Sequence, residues 1–242
     1  MSQRLQFFIR HLGMSFLVLM LCFTLIYYFW YPNTLLSATG ALKIILLIFA
    51  IDLIIGPILG LIVYQPAKKS LKFDLAVIVA LQIVALLYGV YTIGQGRPAY
   101  IVYNVDRFEV IRYNELIIED NKHPYAQLSF WQPPQFLAVD FSKDVEQRNN
   151  DMFAEIFAGV SLAQRPERYV PIQTLKKQIQ QRSRTLDQLY AFNDQQQVDQ
   201  ILKQYPQANA WVPLKANHQD MVVLLHKETA NIIKIVDLRP WS

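Results

Sequence analysis

Three long apolar runs within the first 94 residues constrain the fold of this chain more than any other feature. They cover about residues 12–30, 41–64 and 75–93, and each approaches the roughly 20 residues that a helix needs to cross a membrane. The first run ends in bulky aromatic residues without a small-x-small cleavage site, which favours a retained helix over a cleaved signal peptide. The sequence therefore predicts a domain of three transmembrane α-helices over residues 1–94.

The distribution of positive charge predicts the orientation of these helices. Residues 31–40, between the first and second runs, carry no charge. The basic residues beside the runs are Arg4 and Arg10 before the first, and Lys68, Lys69 and Lys72 between the second and third. Because positively charged loops stay in the cytoplasm, we expect a cytoplasmic N-terminus and a cytoplasmic loop that ends at Asp74. Residues 95–242 then lie outside, in the periplasm if this is a bacterial inner membrane.

Composition separates residues 95–242 from the apolar part of the chain. They carry 17 Lys and Arg against 17 Asp and Glu, so the formal net charge of +4 arises entirely in residues 1–94. A neutral domain offers no basic surface for nucleic acid. The single cysteine, Cys22, lies in the first apolar run, and the four histidines show no metal-ligand spacing. The sequence therefore predicts no disulfide, metal site or cofactor.

Residues 95–242 combine strand and helix patterns. Apolar and polar residues alternate through 98–112, which predicts one long or two short strands. We expect helices at residues 142–160, 172–192 and 195–205, and strands at 210–216, 220–227 and 231–238. The last two strands are joined by Glu228-Thr229-Ala230, a length that suits a hairpin. The predicted fold class is thus three transmembrane helices followed by an exported α+β domain with an antiparallel sheet.

The C-terminal part carries no recognisable catalytic motif. It contains no nucleophile elbow, phosphate-binding glycine loop or cysteine–histidine dyad, and its carboxylates are dispersed along polar faces. Aromatic residues and prolines at 124–136 either line a protein-binding surface or pack as a buried loop. We therefore expect a binding module that is not an enzyme.

The second apolar run contains a carboxylate, Asp52, near its centre. A bare carboxylate in hydrocarbon costs about 2.5 to 3.5 kcal/mol on insertion scales, so the side chain needs a partner. Thr24 of the first run and Gln82 of the third lie at comparable depth along their helices. Both side chains can donate a hydrogen bond to a carboxylate. The sequence therefore predicts a cluster of Thr24, Asp52 and Gln82.

One face of the second run combines this carboxylate with small residues. Asp52, Gly56 and Gly60 recur every four residues, and Pro57 follows the first glycine. Such a stripe lets another helix backbone approach closely. The stripe either packs against the chain's own helices or accepts a helix from another protein. A catalytic aspartate pair is disfavoured, because the only other acid in the apolar part, Asp74, lies at the membrane edge.

An ordered set of residues in this region resembles a known family. The resemblance covers about residues 45–110, and its main elements are Asp52, Gly56-Pro57, Lys68-Lys69, Leu71, Asp74, Leu81-Gln82, Tyr88-Gly89, Arg97-Pro98 and Asp106-Arg107-Phe108. In these residues the chain resembles the TfpX/TfpZ family of type IV pilin accessory proteins, also described as fimbrial assembly proteins of the FimB type.

The resemblance implies an inner-membrane, chaperone-like accessory protein without a catalytic site, which assists a major pilin in the assembly or dynamics of type IV pili. Such a pilin has a long apolar helix in the membrane and a globular head outside. We hypothesise that five residues contact the pilin helix, namely Asp52, Gly56, Pro57, Gly60 and Gln82. The exported domain, entered through the motif of Arg97, Pro98, Asp106, Arg107 and Phe108, then contacts the head.

Other roles remain open from the sequence alone. The loop of Lys68, Lys69, Lys72 and Asp74 is expected to bind membrane lipid headgroups, at about 1 kcal/mol for each lysine, or else to contact platform proteins of the pilus. The alternatives for the whole protein are a membrane enzyme that modifies pilin and a ligand-binding membrane sensor.

Overall fold

The computed structural model of the protein describes residues 2–141 and 144–241. Its contacts divide the chain into two compact units. One consists of Met1–Tyr28 and Ala41–Gly96, and the other of Phe29–Gly40 and Arg97–Ser242. The predicted boundary after residue 94 leaves residues 29–40 with the apolar helices, whereas their contacts group them with the C-terminal part.

The first unit contains the three long apolar helices. In chain order the first four helices are α1 (Gln3–Phe29), α2 (Leu35–Ala38), α3 (Ala41–Val63) and α4 (Leu71–Gln95). Helices α1, α3 and α4 are each long and apolar enough to cross a membrane, which confirms the three predicted spans. Helix α1 begins nine residues before the predicted run, because residues 3–11, which include the charged Arg4 and Arg10, are also helical.

Helices α3 and α4 form the closely packed pair of this unit. A Cβ atom added to Gly89 of α4 would lie 2.7 Å from Cγ2 of Ile48 on α3, so the glycine is what allows the two helices to approach. Most other side chains of the three helices point outward and are apolar, as expected for helices that face lipid.

The second unit is built on one seven-stranded sheet. The strands are β1 (Pro98–Asn104), β2 (Arg107–Arg112), β3 (Gln135–Val139), β4 (Tyr169–Pro171), β5 (Ala210–Lys215), β6 (Met221–His226) and β7 (Asn231–Val236). Their order across the sheet is β4-β3-β1-β2-β5-β6-β7. The α+β domain is therefore confirmed, but the antiparallel sheet needs correction: β1–β3 and β2–β5 are parallel ladders, and the sheet is mixed.

Both faces of the sheet are covered. One face packs its apolar side chains against α2 and against α6 (Lys176–Arg182), with Leu35, Ala38 and Ile179 among the buried residues. On the other face, α7 (Gln195–Gln204) covers β5, β6 and β7 through Val198. Strand β1 is buried along its whole length, which explains its nearly continuous run of apolar residues.

The predicted helix at 172–192 is wrong as a single element. Only Lys176–Arg182 is α-helical, and 3₁₀ turns lie on either side of it. Between them, Arg184 N–H donates to Trp211 O at 2.8 Å and Trp211 N–H donates to Arg184 O at 3.0 Å. This pairing with β5 holds the backbone at Arg184 in an extended conformation. It depends on Trp211, 27 positions away, so the sequence around Arg184 does not predict it.

The remaining predictions for this unit are close to the structure. Residues 98–112 form two short antiparallel strands, and residues 227–230, which include the predicted Glu228-Thr229-Ala230, join β6 to β7. Helix α5 covers Val145–Ala158, within the predicted 142–160, although Ser142 lies outside the described residues. Helix α7 begins as predicted after Asp194, whose carboxylate accepts a hydrogen bond from Gln197 N–H at 3.2 Å.

The turn between β1 and β2 holds a β-branched residue in a left-handed conformation. Val105 has φ +57°, and Asp106 N–H donates to Asn104 O across it at 2.7 Å. Two side chains fix the turn, since Tyr103 Oη and Gln178 Nε2 both donate to Val105 O, at 3.0 and 2.8 Å. Burial, with Asp106 nearby, raises the pKa of Tyr103 to about 12, so its hydroxyl keeps the proton that it donates.

Replacing Val105 should therefore stabilise the second unit. A left-handed conformation costs an L-residue about 1 to 2 kcal/mol, and asparagine tolerates it better than valine. We expect Val105→Asn to raise the free energy of unfolding by about 1 kcal/mol. All four tryptophans belong to the second unit, so tryptophan fluorescence of the full-length protein in detergent reports this unfolding. Val105→Ala has no side-chain amide to hydrogen-bond to the local backbone and should give no comparable gain; equal gains from both variants would contradict the argument.

Candidate functional site

One amide side chain connects all three apolar helices. Gln82 of α4 donates through Nε2 to the backbone oxygen of Asp52 on α3, at 3.1 Å. Its Oε1 lies 2.8 Å from Nε2 of His11 on α1, so the imidazole donates through that nitrogen. Hydrogen bonds of this kind hold apolar helices together where lipid offers no polar partner. The three residues form what we call the polar cluster of the bundle.

Asp52 and His11 each have a buried side-chain atom without a hydrogen-bond partner among the described residues, Oδ2 and Nδ1 respectively. Asp52 is 7% exposed. The residue lies eleven positions from either end of α3, which is about 16 Å at 1.5 Å per residue. A buried carboxylate oxygen therefore lies unpaired near the middle of the helix.

The predicted cluster is correct in bringing Gln82 next to Asp52, but the amide donates to the backbone oxygen and not, as expected, to the carboxylate. The prediction is wrong for Thr24. Thr24 Oγ1 donates to Met20 O of its own helix at 2.8 Å, and the contact is exposed. His11 takes the place expected for Thr24. The prediction missed it because the apolar run begins one residue later, yet His11, Ser15 and Leu19 recur at helical spacing on the side of α1 that faces the cluster.

The glycine stripe of α3 lies inside the bundle. Gly56, Pro57 and Gly60 are all buried. A Cβ atom added to Gly56 would lie 1.8 Å from Gln82 Nε2, and one added to Gly60 would lie 2.8 Å from Phe7 Cε1. The stripe is thus occupied by side chains of α1 and α4. This is the arrangement expected if the stripe packs against the chain's own helices.

A cleft of about 240 Å³ opens between α1 and α4 beside the polar cluster. Most of its wall is apolar. The lining residues are His11, Met14, Ser15, Val18 and Leu19 from α1, Asp52 from α3, and Val79, Gln82, Ile83 and Leu86 from α4. Asp52 is the residue that α3 contributes to this cleft, and together with Gln82 it also lines a second cleft of about 230 Å³ between α3 and α4.

The predicted loop residues lie together at the start of α4. Lys68 Nζ is 2.7 Å from Asp74 Oδ2, which also accepts a hydrogen bond from Ser70 at 3.1 Å. Asp74 lies in the first turn of α4, where a negative charge interacts favourably with the helix dipole. Lys69 and Lys72 are exposed. The ion pair therefore orders the beginning of the helix and leaves two lysines available at the surface.

Arg97 of the domain entry motif is buried in an aromatic cage. It is 2% exposed, and its guanidinium carbon lies 4.3 Å from the ring centre of Tyr113, 5.5 Å from that of Phe130 and 5.9 Å from that of Trp30. Burial lowers the pKa of Arg97 from its usual value. Trp30 Nε1 donates to Phe130 O at 2.7 Å, so the cage attaches the segment after α1 to the sheet domain.

The other residues of the entry motif also have structural contacts. Pro98 begins β1, and Phe108 is fully buried against the main core of the sheet. Asp106 Oδ1 accepts from Arg107 Nε at 2.9 Å, and the Arg107 guanidinium lies 5.8 Å from the ring centre of Trp241. The motif therefore fixes the entry to the domain and the turn between β1 and β2.

These features define a membrane protein with three apolar helices, a polar cluster among them and a mixed-sheet α+β domain. The chain is 32% identical over 196 residues to the fimbrial assembly protein of serogroup I from Dichelobacter nodosus, which covers 78% of this chain and 75% of the relative. It is 28% identical over 240 residues to the serogroup E1 protein of that organism, covering 94% and 92% of the two chains. The chain belongs to this family of FimB-like fimbrial assembly proteins. No family model and no solved structure matches it.

The filled glycine stripe predicts a clear difference between two alanine substitutions. Alanine normally favours a helix over glycine by about 1 kcal/mol, so Gly13→Ala, which meets no atom within 4 Å, should be neutral or stabilising. Gly56→Ala must displace the Gln82 amide and break its hydrogen bond to Asp52, which should destabilise the bundle by about 1 to 2 kcal/mol. Cys22, the single cysteine, permits the test.

The measurement is the temperature dependence of maleimide labelling of Cys22 in detergent. Gly56→Ala should lower the labelling midpoint, while Gly13→Ala should leave it unchanged or raise it. Identical midpoints for Gly56→Ala and the parent protein would show that Gln82 does not depend on the glycine.

Proposed function

We propose that this protein is a non-catalytic, chaperone-like accessory factor for a type IV major pilin, resident in the bacterial inner membrane. Its N-terminus lies in the cytoplasm and its C-terminal domain in the periplasm. It assists pilus assembly or dynamics by contacting both the membrane helix and the head of the pilin. Membership of a fimbrial assembly family supports the role in pilus biogenesis, and the charge distribution beside the three helices supports the orientation.

The observation that carries the proposal is the unpaired Asp52 oxygen at the bottom of the cleft between α1 and α4. A buried polar atom without a partner is costly in a protein interior and more so among apolar helices. An apolar helix from a partner would fill the cleft and could supply the missing hydrogen bond. A pilin that waits in the membrane as a long apolar helix is a partner of this kind.

The predicted contact residues differ in how easily a partner reaches them. Asp52 and Gln82 line the open cleft. Gly56, Pro57 and Gly60 are buried. Gly56 also lines a second cleft, between α3 and α4, but close approach to the two glycines requires the side chains of Phe7, His11 and Gln82 to move. We therefore assign the first contact with the pilin helix to the cleft and keep the stripe as a second, conditional contact.

Helix α5 offers the C-terminal domain a surface for the pilin head. Five large apolar side chains of this helix are exposed, and the most exposed, Phe157, is 80% exposed. The others are Val145, Met152, Phe153 and Ile156. Asp151 holds the helix to the domain, since its Oδ2 accepts from Arg168 at 2.8 Å. Exposed apolar patches of this kind mark interaction surfaces in soluble domains.

The loop before α4 is proposed to contact the membrane surface. Lys69 and Lys72 are exposed and would interact with anionic headgroups at about 1 kcal/mol each. Contact with a platform protein of the pilus is the alternative for the same two lysines. The two roles differ in their requirement for anionic lipid.

Removing the carboxylate tests the intramembrane part of the proposal. We expect Asp52→Ala to reduce assembled pili and pilin cross-linking at least about fivefold at unchanged protein level, since the lost interaction has the strength of an interhelical hydrogen bond. Thr24→Ala is the matched control, because Thr24 is a polar residue of the same bundle outside the polar cluster. Full piliation and unchanged cross-linking in Asp52→Ala would reject the contact.

The mass of pilin separates this role from that of a pilin-modifying enzyme. In cells that lack the protein, an accessory factor leaves the pilin mass unaltered and reduces the number or dynamics of pili. An altered pilin mass, restored when the protein is supplied, would instead establish enzymatic activity. Intact-mass spectrometry of purified pilin provides the measurement, and the Thr24→Ala strain provides the reference with normal pili.

A further inference from the structure

The unpaired oxygen of Asp52 indicates that a ligand of the cleft carries a polar group as well as an apolar surface. Asp52 lies at the bottom of the cleft between α1 and α4, is more than nine-tenths buried, and has one carboxylate oxygen without a partner among the described residues. Gln82 is already committed, since its amide bonds to His11 and to the Asp52 backbone. A ligand that satisfies the cleft must therefore bring its own polar group to Asp52.

The depth of Asp52 restricts where that polar group comes from. The residue lies about 16 Å from either end of α3, whereas lipid headgroups lie at the edges of a hydrocarbon core that is about 30 Å thick. At mid-membrane depth a lipid offers only acyl chain, which cannot form a hydrogen bond. A polar group that reaches Asp52 laterally must therefore be carried by a protein helix.

The size and composition of the cleft restrict the ligand further. Its volume is about 240 Å³, and it is open towards the lipid side of α1 and α4, where Met14 and Ile83 are exposed. Apart from the polar cluster and Ser15, the wall consists of aliphatic residues and methionine. The matching surface is an apolar ridge with one polar side chain in it.

We infer that the cleft between α1 and α4 recognises a transmembrane helix of another protein through a single hydrogen-bond donor that it brings to Asp52. The donor is a hydroxyl, an amide, an ammonium or a protonated carboxyl group, and the residues around it are apolar. The inference rests on the proposed function only for the identity of that protein, which is the pilin. It also assigns the contact to the α1–α4 side of the bundle. A second cleft, of about 230 Å³ between α3 and α4, is also lined by Asp52, Gly56 and Gln82, and stronger capture from Leu81, which lines that cleft, than from Ile83 would overturn this assignment.

Two neighbouring positions on α4 test on which side of the bundle the partner helix binds. Ile83 lines the cleft and is 53% exposed, while Val84 does not line it and is 64% exposed. Both are β-branched, lie at the same depth and face away from the packed interior. With benzoylphenylalanine at either position in the full-length protein in cells, we expect capture from Ile83 to exceed capture from Val84 at least fivefold. Mass spectrometry identifies the captured protein and the cross-linked residue.

Substitutions at Asp52 test the chemistry of the contact. Asp52→Leu fills similar space without an acceptor, and it should reduce capture from Ile83 at least about fivefold, as expected for the loss of one interhelical hydrogen bond. Asp52→Asn keeps a carbonyl acceptor and should retain more capture than Asp52→Leu. The Cys22 labelling midpoint should not fall in either variant, which distinguishes the loss of a ligand from the loss of the bundle.

Each outcome decides either this inference or the proposed function. Capture of a pilin from Ile83, at an apolar segment with one polar residue, supports both. Capture of a different membrane protein at such a segment supports the cleft and contradicts the pilin role. Equal capture from both positions, cross-links only to lipid or to a second copy of this chain, or no effect of Asp52→Leu would overturn the inference. If piliation were still reduced in Asp52→Leu in that case, the role in piliation would be supported while binding of a partner helix in this cleft would be rejected.

Discussion

The Gln82 amide is the interaction on which the arrangement of the apolar helices depends. It accepts from α1 and donates to α3, and no surrounding lipid can replace either bond. Gly56 makes the second bond possible, since any side chain there would occupy the space of the amide. The consequence reaches beyond packing. Both polar atoms of the Gln82 amide are hydrogen-bonded, one to His11 and the other to a backbone oxygen. Gln82 therefore donates no hydrogen bond to the carboxylate of Asp52.

The second unit depends on a different kind of contact, the burial of Arg97 among aromatic rings. A cation over aromatic faces is stabilised by about 2 kcal/mol or more when it is desolvated, and Trp30 contributes one of these faces. Ala38 O accepts from both His218 N–H and Gln219 N–H. The chain passes between the two units at three points, and a residue beside each of them (Trp30, Ala38 and Arg97) has its contacts within the sheet domain. These contacts explain why residues 29–40 belong to that domain. An uncharged loop between two spans becomes part of the folded domain.

Sequence patterns predicted those features that depend on neighbouring residues or on helix depth. The three spans follow from run length, and the proximity of Asp52 to Gln82 follows from counting residues along two helices. The choice of Thr24 failed because depth does not determine which face of α1 points inward, and His11 lay just outside the apolar run. Sequence patterns did not predict the parallel ladders β1–β3 and β2–β5 or the pairing of Arg184 with Trp211, for another reason. They join segments far apart in sequence, so no local pattern records them.

A purely structural role does not account for the aspartate at position 52. Its backbone oxygen makes the bond to Gln82, and any residue with a similar fit on α3 would provide that oxygen. The side chain instead carries a cost of about 2.5 to 3.5 kcal/mol for a charge at this depth, with one oxygen still unpaired. A leucine or an asparagine at position 52 would avoid this cost in a bundle selected only for stability. In the proposed role, a bound second helix accounts for the carboxylate, because the missing hydrogen bond then stabilises the complex and not the free protein. We propose that a site that is incomplete on its own in this way favours association with the partner helix and still permits its release.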